Sequence, residues 1–198
     1  RRPFILSRSA FISSSRYAAV WHGDSYKSFY HLKQSIPVAL NLCISGLPFN
    51  GPDIPGFVGT PTEELAAKWY KAGFLFPFFR NHSVTGSKSQ EPWVFSRKTS
   101  RTITHFIRQR YKVLPYLYNL FIQQEHDGSH IIRPLFYDFP NYIRFDYTCD
   151  QYMCGPDIMH APLLEEKTQR REVVLPKCRW FSYIDSEFIH GGKTLKVK

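Results

Sequence analysis

At 198 residues, 43% of them apolar and 17% aromatic, the chain can bury a substantial core in one or two domains, which excludes a disordered segment. Its net charge of +10 brings nucleic acid into consideration, but the basic residues are scattered in small clusters (Arg97, Lys98 and Arg101; Arg108, Arg110 and Lys112; Arg170 and Arg171). With no long basic tail, RNP-type motif or zinc-finger spacing, the charge reads as a solvated surface or one facing an acidic segment, not as a nucleic-acid site, and no apolar run has the length of a membrane span.

Arg1, Arg2 and Pro3 lead straight into a strand-like run at 4–6, so the chain is expected to begin inside a domain, with no signal peptide visible. A loop of small residues, Ser13 to Ser15, joins this run to a second at 17–21, which delivers Trp21, Gly23 and Asp24. An acid beside a tryptophan at a strand tip suits a proton donor, because apolar neighbours favour a protonated carboxyl. A loop or helix-capping aspartate is the bland alternative. From Ser28 onward, Phe29, Leu32, Ile36, Ala39, Leu40 and Cys43 recur with a helical period; Pro37 is expected to kink this helix and Gly46 to stop it.

A third short strand begins at Leu47 and leads to Asp53, and Pro52, Pro55 and Gly56 make the following loop stiff. Thr60 to Glu64 read as a helix start, with hydroxyl caps, a proline in the first turn and acids facing the dipole. The run 74–79 then delivers Arg80, Asn81 and His82, and a polar loop at 83–99 holds Gln90, Glu91, Pro92 and Trp93. The longest helix is expected from a cap at Thr99 or Ser100 to about Gln124, kinked at Pro115 and closed by Gly128. A fourth strand at 131–136 completes an alternation that argues for an α/β architecture, a parallel sheet with crossover helices. Beyond Asp150 the pattern changes to short strands at 152–153, 158–163, 171–175, 180–184, 187–189 and 194–197, separated by turn residues. That pattern is expected to be antiparallel β, a sandwich or part of one.

Cys43, Cys149, Cys154 and Cys178 fit neither CxxC nor a common zinc spacing, and read as reduced structural thiols. The histidines form no HxH or HExxH pattern, and P-loop, GxGxxG and GxSxG motifs are all missing from the sequence. No metal or other cofactor is therefore expected. Asp24 and Asp53, with Arg8 just past the first strand and His82 on a later loop, fall where catalytic groups of a parallel α/β barrel gather, at the carboxyl ends of strands. Trp21, Phe57 and Trp93 are candidates to wall one shared pocket, their flat faces suiting a sugar. Each residue alone has a structural alternative: a surface arginine, a turn cap, a satisfied loop histidine. Asp157, in the β tail, reads as a turn residue.

The segments RPFILSRSAF (2–11), RYAAVWHGD (16–24), SIPVALNLCISGLPFNGPDIPGF (35–57), ELAAKWYKAGFLFPFFRNH (64–82), QEPW (90–93), QRYKVLPYLY (109–118), IIRPLF (131–136), DQYMCGPDIMHAPLLE (150–165) and VVLPKCRWFSY (173–183) carry a resemblance to glycoside hydrolase family 31, the α-glucosidase and α-xylosidase family. The likeness spans nearly the whole chain in the right order. It implies the C-terminal half of a (β/α)8 barrel at 1–145, followed by the start of a β-sandwich domain at 146–198. It also implies a retaining α-glycosidase acting on α-linked oligosaccharides. In the W-x-GD motif the general acid/base falls on Asp24, and Trp21 lines the subsite of bond cleavage. Arg8 of the (S/T)RS segment and Asp53 of the GADI-like motif become sugar contacts. Phe57 faces the site, Arg80 supports it and His82 hydrogen-bonds the sugar, which leaves Asn81, in the sequon Asn81-His82-Ser83, too confined for a glycan.

Two substitutions depart from the family pattern beside these residues, Pro52 for alanine and Ser25 for asparagine. The nucleophilic aspartate of the family's W-x-DMNE-like segment has no counterpart here. The resemblance therefore implies a partner, the missing N-terminal half of the barrel, in the same polypeptide or a separate chain. A non-catalytic fragment or pseudoenzyme, a transglycosylase, and a relative specific for another α-linked sugar such as xylose stay open.

Overall fold

The computed structural model describes residues 3–197; Arg1 and Arg2, at the expected entry into the first strand, lie outside the described residues, as does Lys198. The first part of the chain is a run of short parallel strands with helical crossovers. Strand β1 (Leu6–Ser7) pairs with β2 (Ala19–Trp21), and β2 with β3 (Asn50–Gly51), both in parallel. Strand β4 (Asp53–Ile54) pairs in parallel with β5 (Arg80–Asn81). Phe78 N–H donates to Asn50 O at 2.9 Å, so the lead-in to β5 also joins β3 and the strands form one continuous series. Helix α1 (Phe29–Ile44) connects β2 to β3, α2 (Glu63–Gly73) connects β4 to β5, and α3 (Arg97–Asp127) follows β5. Parallel neighbours require such long crossovers.

Where the sequence was expected to hold one strand from Leu47, the structure has two of two residues each. Pro52 separates them: it has no N–H to give to a ladder, and the chain changes partner there, from β2 to β5. Gly51 allows the close approach this requires, since a Cβ on it would lie 2.0 Å from the carbonyl oxygen of Phe78.

The expected fourth parallel strand is corrected. The segment β6 (Ile132–Pro134) pairs antiparallel with β7 (Tyr152–Cys154), which pairs with β8 (Ile158–His160), and residues Leu135–Asp138 form a short helix, α4. The fourth parallel position belongs to β5. Its two residues are too few for any alternation to show, and the run 74–79 ahead of it is largely buried loop. The remaining strands are antiparallel pairs, β9 (Arg171–Leu175) with β12 (Lys193–Val197) and β10 (Arg179–Ser182) with β11 (Glu187–His190). A partial, unclosed barrel-like sheet followed by a β domain is thus the architecture. Among the described residues β1 has a neighbour on one side only, and Phe4, Phe11, Ile12 and Tyr17 around it are exposed.

Helix starts follow capping chemistry. The hydroxyl of Ser28 accepts from His31 N–H at 3.2 Å and that of Thr62 from Leu65 N–H at 3.2 Å. Helix α3 begins earlier than the expected cap, at Ser96. The Glu63 carboxylate accepts from the Ser96 amide at 3.1 Å, from the Thr99 hydroxyl at 2.7 Å and from the Ser96 hydroxyl, a tertiary contact no local pattern records. Both α1 and α3 run unbroken through their prolines, Pro37 and Pro115. The inner stripes of the three helices (Leu32 and Ile36; Ala66 and Trp69; Ile103 and Leu117) share one core with Ile54, Ile132, Tyr152 and Cys154. Strands β6 to β8 and the three helices therefore share one core, which backs β4 at Ile54.

Candidate active site

Trp21 ends β2, and the chain turns at Gly23. Its φ of +77° is left-handed, a conformation glycine adopts without cost. A Cβ at Gly23 would meet the Arg8 guanidinium at 3.5 Å, so Arg8 lies flat against this turn. The result is a pair, Arg8 Nη1 to Asp24 Oδ2 at 3.6 Å, with both side chains well exposed. An ion pair this open contributes under about 1 kcal/mol, and its significance is orientation.

Behind Asp24 the backbone is sewn to the next loop. Ser25 O accepts from Phe57 N–H at 2.8 Å and Val58 N–H at 2.9 Å, and Lys27 N–H donates to Val58 O at 2.9 Å. Phe57 in turn stacks on His82, with ring centroids 5.3 Å apart and planes at 27°. His82 N–H donates to Ile54 O at 3.1 Å, extending the β4–β5 ladder by one bond.

Asp53 is fully buried at the start of β4, opposite Arg80 in the register, and Arg80 Nη2 donates to its Oδ1 at 2.6 Å. The Arg80 guanidinium also lies over Trp21, 5.8 Å from the ring centre, and over Phe78, at 5.3 Å. Asp53 Oδ2 and Arg80 Nε have no hydrogen-bond partner among the described residues.

Three contact groups result: Arg8 with Asp24, just past the ends of strands; Asp53 with Arg80 and Trp21, within the β2–β5 series; and Phe57 with His82, again just past strand ends. Ser25 links the first to the third, and the β4–β5 ladder links the second to the third. Among the described residues no hydrogen bond or ion pair joins Asp24 to Asp53 or His82. Two concavities of the surface lie elsewhere, one along α3 at Arg101, His105 and Arg108 and one between Lys33 and the 162–172 segment; neither touches these residues. Trp93 sits in a short 3-10 turn (Pro92–Val94) and is exposed. Asn81, expected to be confined, is exposed as a residue, yet both amide hydrogens are engaged: Nδ2 donates to Tyr70 Oη at 2.9 Å and to Gln90 O at 3.1 Å. Among the described residues no cluster of three or more histidine, cysteine, aspartate or glutamate side chains is placed to hold a metal ion.

One group that pattern reasoning passed over is His22, between Trp21 and Gly23. Its Nε2 lies 2.9 Å from Asn50 Oδ1. Asn50 is buried, and its Nδ2 is committed to the carbonyls of Leu47, at 2.8 Å, and Ala39, at 3.3 Å. Carbonyls only accept, so the Asn50 oxygen faces His22, and the His22 Nε2 carries the proton. Burial pushes the His22 pKa down to about 4. The unfolded chain then binds the extra proton between about pH 6.5 and pH 4 while the folded chain does not. Stability contributed by a neutral His22 is full above that window and falls away through it on acidification, by at most about 3 kcal/mol. His22→Gln is expected to flatten the pH dependence of the denaturation midpoint across this window. An unchanged slope in the variant would assign the effect to other groups, such as the half-buried His160, whose pKa desolvation lowers to about 3.

Against known proteins, residues 1–120 match the glycosyl hydrolases family 31 TIM-barrel domain, and residues 128–198 match the glycosyl hydrolase family 31 C-terminal domain. The chain is 39% identical over 193 residues to alpha-glucosidase 2 of Bacillus thermoamyloliquefaciens, which covers 98% of this chain and 24% of that protein. It superposes on a chain of an ER glucosidase II heterodimeric complex with a TM-score of 0.95 and 32% identity, over 99% of this chain and 22% of the other. On a family 31 alpha-xylosidase from a soil metagenome, complexed with xylose, the TM-score is 0.92 at 30% identity, over 98% of this chain and 32% of that one. The chain thus spans about a quarter of the length of the curated relatives it matches. By two family domains covering nearly every residue, the chain belongs to glycoside hydrolase family 31.

Proposed function

We propose that the polypeptide carrying these residues is a retaining α-glycosidase, acting on terminal α-glucosidic bonds of oligosaccharides, with Asp24 as general acid/base. The observation that carries this reading is the placement of Asp24: an accessible carboxyl at the carboxyl end of a parallel strand, oriented by Arg8 and Gly23, in a chain of this family. In the first step Asp24 gives its proton to the leaving glycosidic oxygen while a second carboxylate attacks the anomeric carbon. In the second it takes a proton from the water that releases the sugar. The attacking carboxylate belongs to polypeptide outside these 198 residues, since no W-x-DMNE-like segment occurs among them. The exposed β1 edge, with its apolar neighbours, is the surface against which the remaining barrel strands pack.

The other residues supply recognition. Trp21 and Phe57 offer aromatic faces to the apolar side of a pyranose. Arg8 and His82 offer donors to its hydroxyls, while Asp53, expected as a sugar contact, is fully buried against Arg80 and acts by holding that side chain beside Trp21. Retention is the direct test. When the complete polypeptide hydrolyses an aryl α-glucoside in an NMR tube, the first glucose to appear is expected as the α anomer. The β anomer first would mean inversion and would overturn the mechanism; release of sugar from α-xylosides alone would move the substrate; no release from any α-glycoside would refute the function.

A further inference from the structure

The loop at 83–99 buries the polar side chain of Gln90 midway along it. Its Nε2 donates to Asn81 Oδ1 at 2.9 Å and to His82 O at 2.9 Å, and lies 3.5 Å from Ile54 O. Asn81 answers by donating Nδ2 to the Gln90 carbonyl at 3.1 Å. Two of the three acceptors around Nε2 are backbone carbonyls, which cannot donate, so the amide orientation follows from the chemistry. Ile54 O is also the acceptor of the His82 amide. Gln90 thus grips the place where the β4–β5 ladder ends, between the strand that carries Asp53 and the residue that stacks on Phe57.

From this arrangement we propose that Gln90 is a positioning residue for the glycosidase reaction, acting through His82. The inference rests on the function proposed above. His82 itself is exposed and has a single backbone bond to β4 holding it from its amide side. Gln90 supplies the second hold, on its carbonyl, and the Asn81–Gln90 amide pair stops the two segments from sliding. A sugar-binding imidazole that shifts by about 1 Å costs on the order of 100-fold in rate, so a buried amide that touches no substrate still governs turnover.

The test uses the complete polypeptide and an aryl α-glucoside. Gln90→Met keeps the volume and removes the donors; kcat/KM is expected to fall about 10–100-fold. Hydrogen exchange at the amides of 81–84 is expected to rise while exchange in α3 does not. Adding His82→Ala in that background is expected to cost less than about threefold further, because the two residues act as one unit. Gln90→Glu keeps the shape and folds without a void, but turns an acceptor toward three oxygens. Its deficit is expected to shrink as pH falls and protonation returns one O–H donor, a recovery that loss of packing alone would not produce. Gln90→Met within about threefold of wild type, or losses of Gln90→Met and His82→Ala that add in full, would overturn the proposal. A wild-type polypeptide inactive on every α-glycoside would instead sink the function on which it rests.

Discussion

Asp24→Asn is expected to lower turnover of an unactivated α-glucoside by about 10²–10⁴-fold in the complete polypeptide, the contribution typical of a positioned general acid. The change is isosteric and removes the transferable proton together with the charge of the ionised form. Little else is expected to move. The carboxyl is partly exposed, its pairing with Arg8 spans 3.6 Å in solvent, and the turn that places it is made by Gly23 and by the Ser25 carbonyl bonds, which the substitution leaves intact. Thermal stability should therefore stay close to wild type, separating a chemical loss from a structural one. The loss should also depend on the leaving group. A glucosyl fluoride departs without protonation, so its first step should be nearly unaffected and the second, which needs Asp24 as base, should become limiting. Added azide, which attacks without a base, should then restore turnover and yield glucosyl azide. A loss under about tenfold, or one equal for all leaving groups, would remove Asp24 from the role of proton donor.

Residues read from patterns and residues found only in three dimensions differ in a physical way. The helical stripes of α1 and α2 and the hydroxyl cap ahead of α2 are local, and were legible because a 3.6-residue period and a hydroxyl before it need no partner elsewhere. The strands were harder. β3, β4 and β5 have two residues each, below any measurable alternation, and their existence depends on neighbours. β6 has the composition of a buried parallel strand, yet its partner comes from residues 152–154, and pairing direction leaves no mark on a single short run. The start of α3 was misplaced for the same reason, since Glu63 of another helix holds it. For the candidate site, Arg8, Trp21, Asp24, Asp53, Phe57, Arg80 and His82 were named from motif segments. His22 and Gln90 lay inside those segments, as the H of WHGD and the Q of QEPW. Each acts through a buried amide contact with a residue at least eight positions away, and a one-dimensional reading has no term for that.

The Asp53–Arg80 pair carries the second large effect, and the two members are not equivalent. Asp53 is fully buried; the Arg80 side chain retains 28% exposure and the company of Trp21 and Phe78. Arg80→Ala strands a carboxylate that has no other hydrogen-bond partner, and breaking a buried pair in this way costs about 3–5 kcal/mol. Asp53→Ala leaves the arginine free to turn its charged end toward water, so its cost should fall below that range. Asp53→Asn, which keeps one acceptor for Arg80 Nη2, should cost least, about 1–2 kcal/mol. The double variant, with neither charge, should be more stable than Arg80→Ala alone, because the stranded carboxylate is the dominant penalty and not the lost attraction. Denaturation midpoints of the four variants, followed through the intrinsic fluorescence of the β2–β5 region, give the order. Every one of them should also lose kcat/KM, since the pair joins β4 to β5 and holds Arg80 over Trp21 in the candidate site. Equal costs for Asp53→Ala and Arg80→Ala would mean that solvent reaches Asp53 as readily as Arg80, and that burial does not set the strength of this contact.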